Sequence, residues 1–382
     1  MRRLVPLLAL MLLAAGTASS GHSNGCPEPC SGQVSSPAGA QLLYVQPKGA
    51  GGVVDVYDPQ SRRRVFSLPP GISTADGFWH VSALNRRAST VVSRYLLSTG
   101  SLEGSMVVDG RWRLEGVSPD GQYAALVRRR TEVVVVDVVR ARVAHRLRLH
   151  GAFEVETVSR DGKRLFLIEH LRAVQGARYR VRLFDLSRSE LVSKPLRGPG
   201  EPSVMAGLAW SGIGSPDGRW LLTLYLNTGR NLAFVHALDL ERSSPLCIFL
   251  PSGRSFGALK RYGLTLSPDG SRLFATNPAI GAVAEIDLAT RKVARTVRFP
   301  AAVRAAGTRS LTGTISRNGR TLYFSPGRDL WAYDAAYGVV RGPYRTGGAV
   351  GGFGFGAGDR RVHALRADGR ALSFDAATGR RL

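Results

Sequence analysis

The chain of 382 residues has only 3 cysteines, which rules out a scaffold held together mainly by disulfides. Cys26 and Cys30 lie close together in the segment CPEPC, and Cys247 lies alone in the apolar segment PLCIFL. A metal site at CPEPC would need further ligands nearby, and the sequence offers His22 alone. We therefore expect a local disulfide between Cys26 and Cys30 and a buried, unreactive thiol at Cys247.

Long hydrophobic runs are also scarce, and the longest one lies at the N-terminus. Arg2 and Arg3 precede LVPLLALMLLAA, and small residues follow up to Ala18. This pattern is typical of a signal peptide and is too short to span a membrane. We predict a signal peptide at residues 1–18 and an exported, secreted or envelope protein without a transmembrane segment. A lipoprotein anchored at Cys26 is the alternative, although Ser23-Asn24-Gly25 lacks the usual lipobox character.

Acidic residues are few: 28 Asp and Glu stand against 52 Lys and Arg, and the formal net charge is +24. Such an excess attracts polyanions, and the attraction weakens with salt. Most of the arginines are scattered, and the densest run is Arg128-Arg129-Arg130. Two interpretations stay open, a solvated basic surface and a dedicated anion site. Export argues against a specific nucleic-acid partner.

Recognisable catalytic and cofactor motifs are missing as well. The histidines show no HExxH or HxH spacing, and acidic calcium loops are not found, so we predict neither a metal nor a cofactor. Gly253–Gly257 (GRSFG) matches a nucleophile elbow, but the sequence predicts an inter-blade loop there with no helix after it. Gly351–Gly358 (GGFGFGAG) lacks the Lys-Ser/Thr of a phosphate loop and is better explained as an innermost strand.

A short phrase recurs along the chain, Ser-x-Asp-Gly or a close variant followed by an alternating apolar run. Its copies begin at Ser118, Ser159, Ser215, Ser267 and Ser316. Periods of about 40–50 residues are typical of propellers. Asp-Gly is a leading hairpin signal, and copies spread around a ring cannot converge on one substrate, so we interpret the motif as a turn rather than a site.

Each repeat also contains a third predicted strand that ends in aspartate, before a fourth strand such as KVARTVRFP from Lys292. The aspartates are Asp58, Asp137, Asp185, Asp239, Asp287, Asp334 and Asp375. No convincing helical period follows the signal peptide, so the fold class is all-β. A degenerate unit at residues 77–114 brings the count to eight.

We predict a single β-propeller of four-stranded antiparallel blades, with eight blades favoured over seven. It spans residues 36–382 and follows a short N-terminal segment, 19–35. We expect a monomer.

The segment Leu266–Val297 (LSPDGSRLFATNPAIGAVAEIDLATRKVARTV) resembles the YVTN-type repeat of bacterial surface and periplasmic β-propellers, a relative of WD-type and TolB-like repeats. This copy has Phe-Ala-Thr-Asn in place of Tyr-Val-Thr-Asn. The resemblance covers most of the chain and implies the fold. It does not transfer a function, because lactonases, quinoprotein subunits and binding modules share these repeats.

Loops that lead into innermost strands are the best place for a site, because they converge on one face. The candidate ligand-binding residues there are Trp79, His80, Glu154, Trp210, Arg261, Tyr262 and Arg309. Aromatic and arginine side chains suit a carbohydrate or an anionic polymer of the envelope, or a protein partner. The expected function is an exported binding or scaffold protein. The alternative is a lactonase-like hydrolase or lyase, which would have to use His80, Glu154 and Glu156.

Overall fold

Eight antiparallel sheets follow one another along the chain in a computed structural model. The structure describes residues 53–58, 61, 63–171, 178–253, 255–307 and 313–382, together with the backbone of 30–35 and 41–46. Within the described residues, no helix is long and apolar enough to cross a membrane.

The first four blades consist of consecutive strands. Blade 1 is β1 (Cys30–Ser35), β2 (Gln41–Gln46), β3 (Val54–Asp58) and β4 (Arg63–Leu68); blade 2 is β5 (Gly71–Ser73), β6 (Trp79–Arg86), β7 (Ser89–Leu96) and β8 (Leu102–Asp109). Blade 3 is β9 (Arg113–Val117), β10 (Tyr123–Arg128), β11 (Glu132–Asp137) and β12 (Arg142–Arg148); blade 4 is β13 (Ala152–Val158), β14 (Arg164–Leu171), β15 (Arg178–Asp185) and β16 (Glu190–Leu191), with β17 (Met205–Ala206) also paired to β15.

The second half repeats this order, and among its described residues short helices lie in three connections. Blade 5 is β18 (Leu208–Gly214), β19 (Trp220–Asn227), β20 (Leu232–Asp239) and β21 (Ser244–Phe249); blade 6 is β22 (Gly263–Leu266), β23 (Arg272–Asn277), β24 (Ala282–Asp287) and β25 (Lys292–Arg298). Blade 7 is β26 (Thr314–Ile315), β27 (Thr321–Phe324), β28 (Leu330–Asp334) and β29 (Val339–Tyr344); blade 8 is β30 (Val350–Phe355), β31 (Arg361–Arg366) and β32 (Ala371–Asp375). The helices are α1 (Phe256–Leu259), α2 (Ala301–Ala305) and a 3₁₀ turn at Ala357–Asp359.

Apolar layers between neighbouring blades form the core. In blade 3, for example, Val134 and Val136 face blade 2, whereas Val133 and Val135 face blade 4. This alternation follows from the two-residue period of a strand. A blade buries both faces only when it lies between two others, so the repeats stabilise one another.

The ring closes directly between blade 8 and blade 1. Strand β30 lies beside β1 on one side and β26 on the other, and Tyr57 packs against Leu365 and Ala371. The prediction of an eight-bladed propeller is confirmed, as are the innermost position of the glycine-rich strand and the aspartates that end the third strands. The last sheet has three strands. An isolated antiparallel bridge between Phe374 and Arg381 lies where the fourth strand of the other blades would pair.

This topology gives the ring two faces, a turn face and a loop face, which differ in the connections that they carry. The turn face carries the turns from first to second and from third to fourth strands. The loop face carries the connections from second to third strands and those that cross to the next blade. The first strand begins at Cys30, within the segment that the sequence analysis placed before the propeller.

Candidate ligand-binding face

The repeated Ser-x-Asp-Gly motif forms a closed hydrogen-bonded turn. In blade 6, the Ser267 hydroxyl donates to Asp269 Oδ1 at 2.5 Å and accepts the Arg272 N–H at 2.9 Å. The same Asp269 oxygen accepts the Ser271 N–H at 3.1 Å, and these bonds lower the pKa of the carboxyl group. Gly270 has φ of +69°, where glycine is favoured. The serine and aspartate side chains therefore form hydrogen bonds within the turn, as predicted from the sequence.

A further copy of this turn, which the sequence analysis missed, begins at Thr74 in blade 2. The Thr74 hydroxyl donates to Asp76 Oδ1 at 2.5 Å and accepts the Trp79 N–H at 3.0 Å. Gly77 has φ of +73°. Threonine replaces serine here, so the pattern Thr-x-Asp-Gly was the signal that could have revealed it.

This turn corrects the predicted position of Trp79 and His80. Both belong to β6, a second strand that starts at the turn face, rather than to a loop leading into an innermost strand. The Trp79 ring lies 3.2 Å from the Arg94 guanidinium carbon. His80 is buried, with Nδ1 3.0 Å from Ser73 Oγ and Nε2 2.8 Å from the Pro69 carbonyl oxygen. Burial lowers the pKa of His80 to about 4, which suits a structural, neutral imidazole.

Trp210 and Tyr262 do lie towards the loop face, and the structure links them through one segment. Trp210 Nε1 donates to the Lys260 carbonyl oxygen at 3.1 Å, and Lys260 Nζ lies 5.1 Å from the Trp210 ring centroid. The buried Tyr262 hydroxyl donates to the Pro251 carbonyl oxygen at 2.7 Å, which is a packing role. Arg261, between them in sequence, is half-buried.

Two other predicted features fall outside the described residues. These features are the side chain of Arg309 and the predicted disulfide between Cys26 and Cys30. Of the two cysteines, only the backbone of Cys30 is described, and it pairs with Gln46. The disulfide and the role of Arg309 stay predictions. Cys247 is half-buried rather than fully buried, and burial raises the pKa of its thiol far above the ordinary value.

Three glutamates of the innermost strands of blades 3 and 4 are buried: Glu115, Glu154 and Glu156. Glu115 and Glu156 lie at β-bulges, where the pairing of β9 and β13 shifts register. Glu115 was not among the residues predicted from the sequence, although it precedes Ser118 by three residues, just as Glu156 precedes Ser159.

Each of these carboxyl groups has contacts within the wall of the ring. Glu115 accepts a backbone N–H of blade 4 at 3.0 Å and pairs with Arg113. Glu154 lies 3.0 Å from His170 Nε2. Glu156 Oε2 accepts the Thr223 hydroxyl at 3.5 Å. Burial, and then the nearby Glu154 charge, raises the pKa of Glu156 to about 8, so that it is mainly protonated at neutral pH.

The turn face offers a narrow pocket near the inner ends of blades 2 to 5. Glycine, proline, hydroxyl and apolar residues line it, among them Thr74, Ser118 and Ser215. A Cβ on Gly214 of blade 5 would lie 3.0 Å from the Ala75 Cβ of blade 2, so these blades approach each other closely here. A pocket of this lining has no group for acid–base catalysis.

The loop face, in contrast, is rich in arginine. Its connections carry Arg87, Arg111, Arg129, Arg130, Arg197, Arg230, Arg261, Arg304, Arg328, Arg345 and Arg370. Within the described part of the chain, only Arg345 of this set has a carboxylate oxygen within 4.0 Å, that of Asp329 at 3.5 Å. These arginines are scattered along the sequence because the connections that share this face are far apart in the chain.

Turn-face acids are engaged with their own turns and with arginines. Asp137 lies 2.8 Å from Arg140, and Asp239 lies 2.9 Å from Arg219. The ends of the third strands place these aspartates on the turn face, where each repeat contributes acid as well as base. The excess of positive charge therefore concentrates on the loop face.

Comparisons with known proteins agree on the fold and go no further. The chain matches no protein-family model and no curated protein. Three solved β-propeller proteins resemble it. The dihydro-heme d1 dehydrogenase NirN, solved in complex with DHE, is 18% identical over 82% of this chain and 66% of its own, with a TM-score of 0.50.

The other two structures are more distant. Hydrazine synthase of Kuenenia stuttgartiensis is 14% identical over 80% of this chain and 94% of its own, with a TM-score of 0.42. The β-propeller domain of Myceliophteria thermophila Cps50 (Swd1) is 13% identical over 79% of this chain and 94% of its own, with a TM-score of 0.44. At such identities the likeness concerns architecture alone.

Proposed function

We propose that the protein is an exported binding protein that recognises an anionic polymer of the cell envelope through the arginines of its loop face. The observation that carries this proposal is the set of loop-face arginines that lack a carboxylate partner among the described residues. Arginine can bind carboxylate or phosphate groups through two parallel hydrogen bonds. A polymer lying across this face would contact several blades at once.

The predicted signal peptide at residues 1–18 and the resemblance to YVTN-type repeats of surface and periplasmic propellers support an envelope location. Arg261 adjoins the Lys260 carbonyl group that Trp210 binds. This segment gives the face an aromatic surface beside positive charge, a combination that suits acidic sugars.

Binding agrees with the geometry better than a lactonase-like activity does. Both ring nitrogens of His80 contact oxygen atoms of residues in or next to its own blade. Glu156 is buried inside the wall, and Glu154 contacts His170. The three residues that the enzymatic alternative required therefore have other partners or lie away from the solvent.

The test is binding of the mature protein to a polyphosphodiester wall polymer, a polyuronate and neutral dextran over a salt series. The variant Arg111→Ser/Arg230→Ser/Arg304→Ser removes three exposed loop-face arginines. At about 1 kcal/mol for each arginine near an anionic surface, we expect a loss of affinity of about a hundredfold at low salt. We also expect a shallower dependence of affinity on salt.

The matched control removes the same charge from the turn face, as Arg63→Ser/Arg242→Ser/Arg380→Ser. These three side chains are also exposed, and binding should change less than threefold. Equal losses in both triple variants would mean that the protein acts only as a diffuse positive field, and the proposal would be wrong. Equal affinity for dextran would point to neutral glycan recognition instead.

The two arginines of the turn between β10 and β11 are expected to lower the stability of the protein while they add positive charge to the loop face. Arg129 and Arg130 have φ of +55° and +59°, a left-handed conformation that Asn-Gly adopts more easily. We expect Arg129→Asn/Arg130→Gly to raise the free energy of unfolding by about 1–2 kcal/mol and to weaken polymer binding. The control Ala141→Gly, at φ of +51° on the turn face, should raise stability without changing binding. Unchanged stability in the double variant would contradict the assigned strain.

A further inference from the structure

The layer between blades 4 and 5 contains a row of polar residues in an otherwise apolar interface. Thr223, His236 and Cys247 are paired with one another across β19, β20 and β21. Side chains at paired positions of antiparallel strands lie on one face, about 5 Å apart. Thr223 contacts Glu156, and Cys247 contacts Met205. Because Glu156 and Met205 belong to blade 4, this face of blade 5 is directed towards blade 4.

His236 is the least satisfied residue of this row. It is 1% exposed, and neither ring nitrogen has a hydrogen-bond partner among the described residues. The ring meets that of Tyr225 edge-on, with centroids 5.9 Å apart. Buried polar groups are almost always bonded to protein, water or an ion, so an imidazole with two free nitrogens indicates a missing occupant.

One sulfur atom lies next to this imidazole in the row, and a second sulfur contacts the first from blade 4. Cys247 Sγ is 3.5 Å from Met205 Sδ, and Cys247 is the direct cross-strand partner of His236. Two sulfurs bound to one metal ion at about 2.3 Å each can be separated by about 3.5–4.5 Å. The observed separation is therefore compatible with a shared ion.

The long connection 192–207 holds Met205 in this position. Met205 pairs with Tyr179 of β15, and the Leu196 N–H donates to the Val181 carbonyl oxygen at 2.8 Å. Glu201 Oε1 accepts the Cys247 N–H at 2.5 Å. The connection thus folds back over blade 4, brings a soft thioether to the thiol and places one carboxylate nearby.

We propose that His236, Cys247 and Met205 form a buried binding site for a monovalent copper ion between blades 4 and 5. Thiolate and thioether sulfurs with an imidazole nitrogen are a soft donor set, which suits Cu(I). Binding would exchange the thiol proton of Cys247 for the metal ion, and the Cys247 thiolate would neutralise the single positive charge of that ion. This site uses none of the loop-face arginines, and it does not depend on the polymer proposed above.

Cu(I) itself is the probe, titrated anaerobically in competition with a chromophoric Cu(I) chelator. The full chain carries Cys26→Ser and Cys30→Ser, so that Cys247 is the only thiol. We expect one equivalent of Cu(I) to be bound, and Cys247→Ser to abolish this binding. We expect Met205→Leu and His236→Asn each to weaken it at least about tenfold.

Met106→Leu is the matched control, because Met106 is a buried methionine of blade 2 and should leave the affinity unchanged. Bound Cu(I) should also raise the unfolding temperature of the parent protein, but not that of Cys247→Ser. Failure of the parent to compete for Cu(I) would overturn the proposal and leave internal water as the occupant. Undiminished binding in Cys247→Ser, or in a folded His236→Asn variant, would overturn it too.

Discussion

Replacing Gly162 with alanine is expected to lower the free energy of unfolding by about 2–4 kcal/mol, whereas Gly369→Ala should lower it by about 1 kcal/mol. Both residues have positive φ, +70° and +83°, so both substitutions strain the backbone. A Cβ on Gly162 would also lie 2.5 Å from Cζ of Tyr123 in the preceding blade. At Gly369 nothing lies within 4 Å.

Urea unfolding of both variants measures the difference, and a double-mutant cycle assigns it. In a Tyr123→Leu background the smaller side chain gives way, and Gly162→Ala should then destabilise the protein about as little as Gly369→Ala does. An equal decrease in the free energy of unfolding for the two glycine variants in the wild-type background would show that backbone strain alone causes the destabilisation. The contact between Gly162 and Tyr123 would then make no contribution to it.

The cause of this difference is a second role of the repeated turn. In blades 3, 4 and 7 the glycine of the turn packs on the residue that follows the turn of the preceding blade: Gly121 on Trp79, Gly162 on Tyr123 and Gly319 on Arg272. The motif therefore reverses the chain and also positions the next blade. A side chain at the glycine would disturb the local turn and the interface together.

The architecture could be predicted from the sequence because its signals are local and repeated. Asp-Gly turns, alternating strands and terminal aspartates each depend on a few adjacent residues. The seven aspartates, together with the degenerate unit at residues 77–114, predicted eight blades. The position of Trp79 was predicted wrongly for an equally local reason, since Thr74 replaces serine in the turn that precedes it.

The candidate sites could not be predicted in the same way, because they depend on register and on ring closure. Thr223, His236 and Cys247 become neighbours only through the pairing of three strands. Met205 joins them through the fold of a long connection. Likewise, the loop-face arginines become one surface only when the blades are arranged around an axis.

A Glu156→Gln variant is expected to become progressively more stable than the wild type as the pH rises. The pKa of Glu156 is about 8 in the folded protein against an ordinary value of 4.5. Between these values the unfolded chain releases a proton that the folded protein retains, so wild-type stability falls as pH rises. At about 1.4 kcal/mol per pH unit, the difference between variant and wild type should approach about 4 kcal/mol by pH 8.

Urea unfolding of both proteins at intervals from pH 4.5 to pH 8.5 measures this difference. Comparison with the wild type cancels the opposite effect of His80, whose lowered pKa reduces stability below pH 6.5. Glu241→Gln is the control, because the side chain of Glu241 is 71% exposed and its removal should leave the slope unchanged. A constant difference between Glu156→Gln and the wild type would mean that Glu156 is ionised when folded. The interior of blades 4 and 5 would then have to hold a compensating cation beside Glu156 Oε1, the oxygen that has no partner among the described residues.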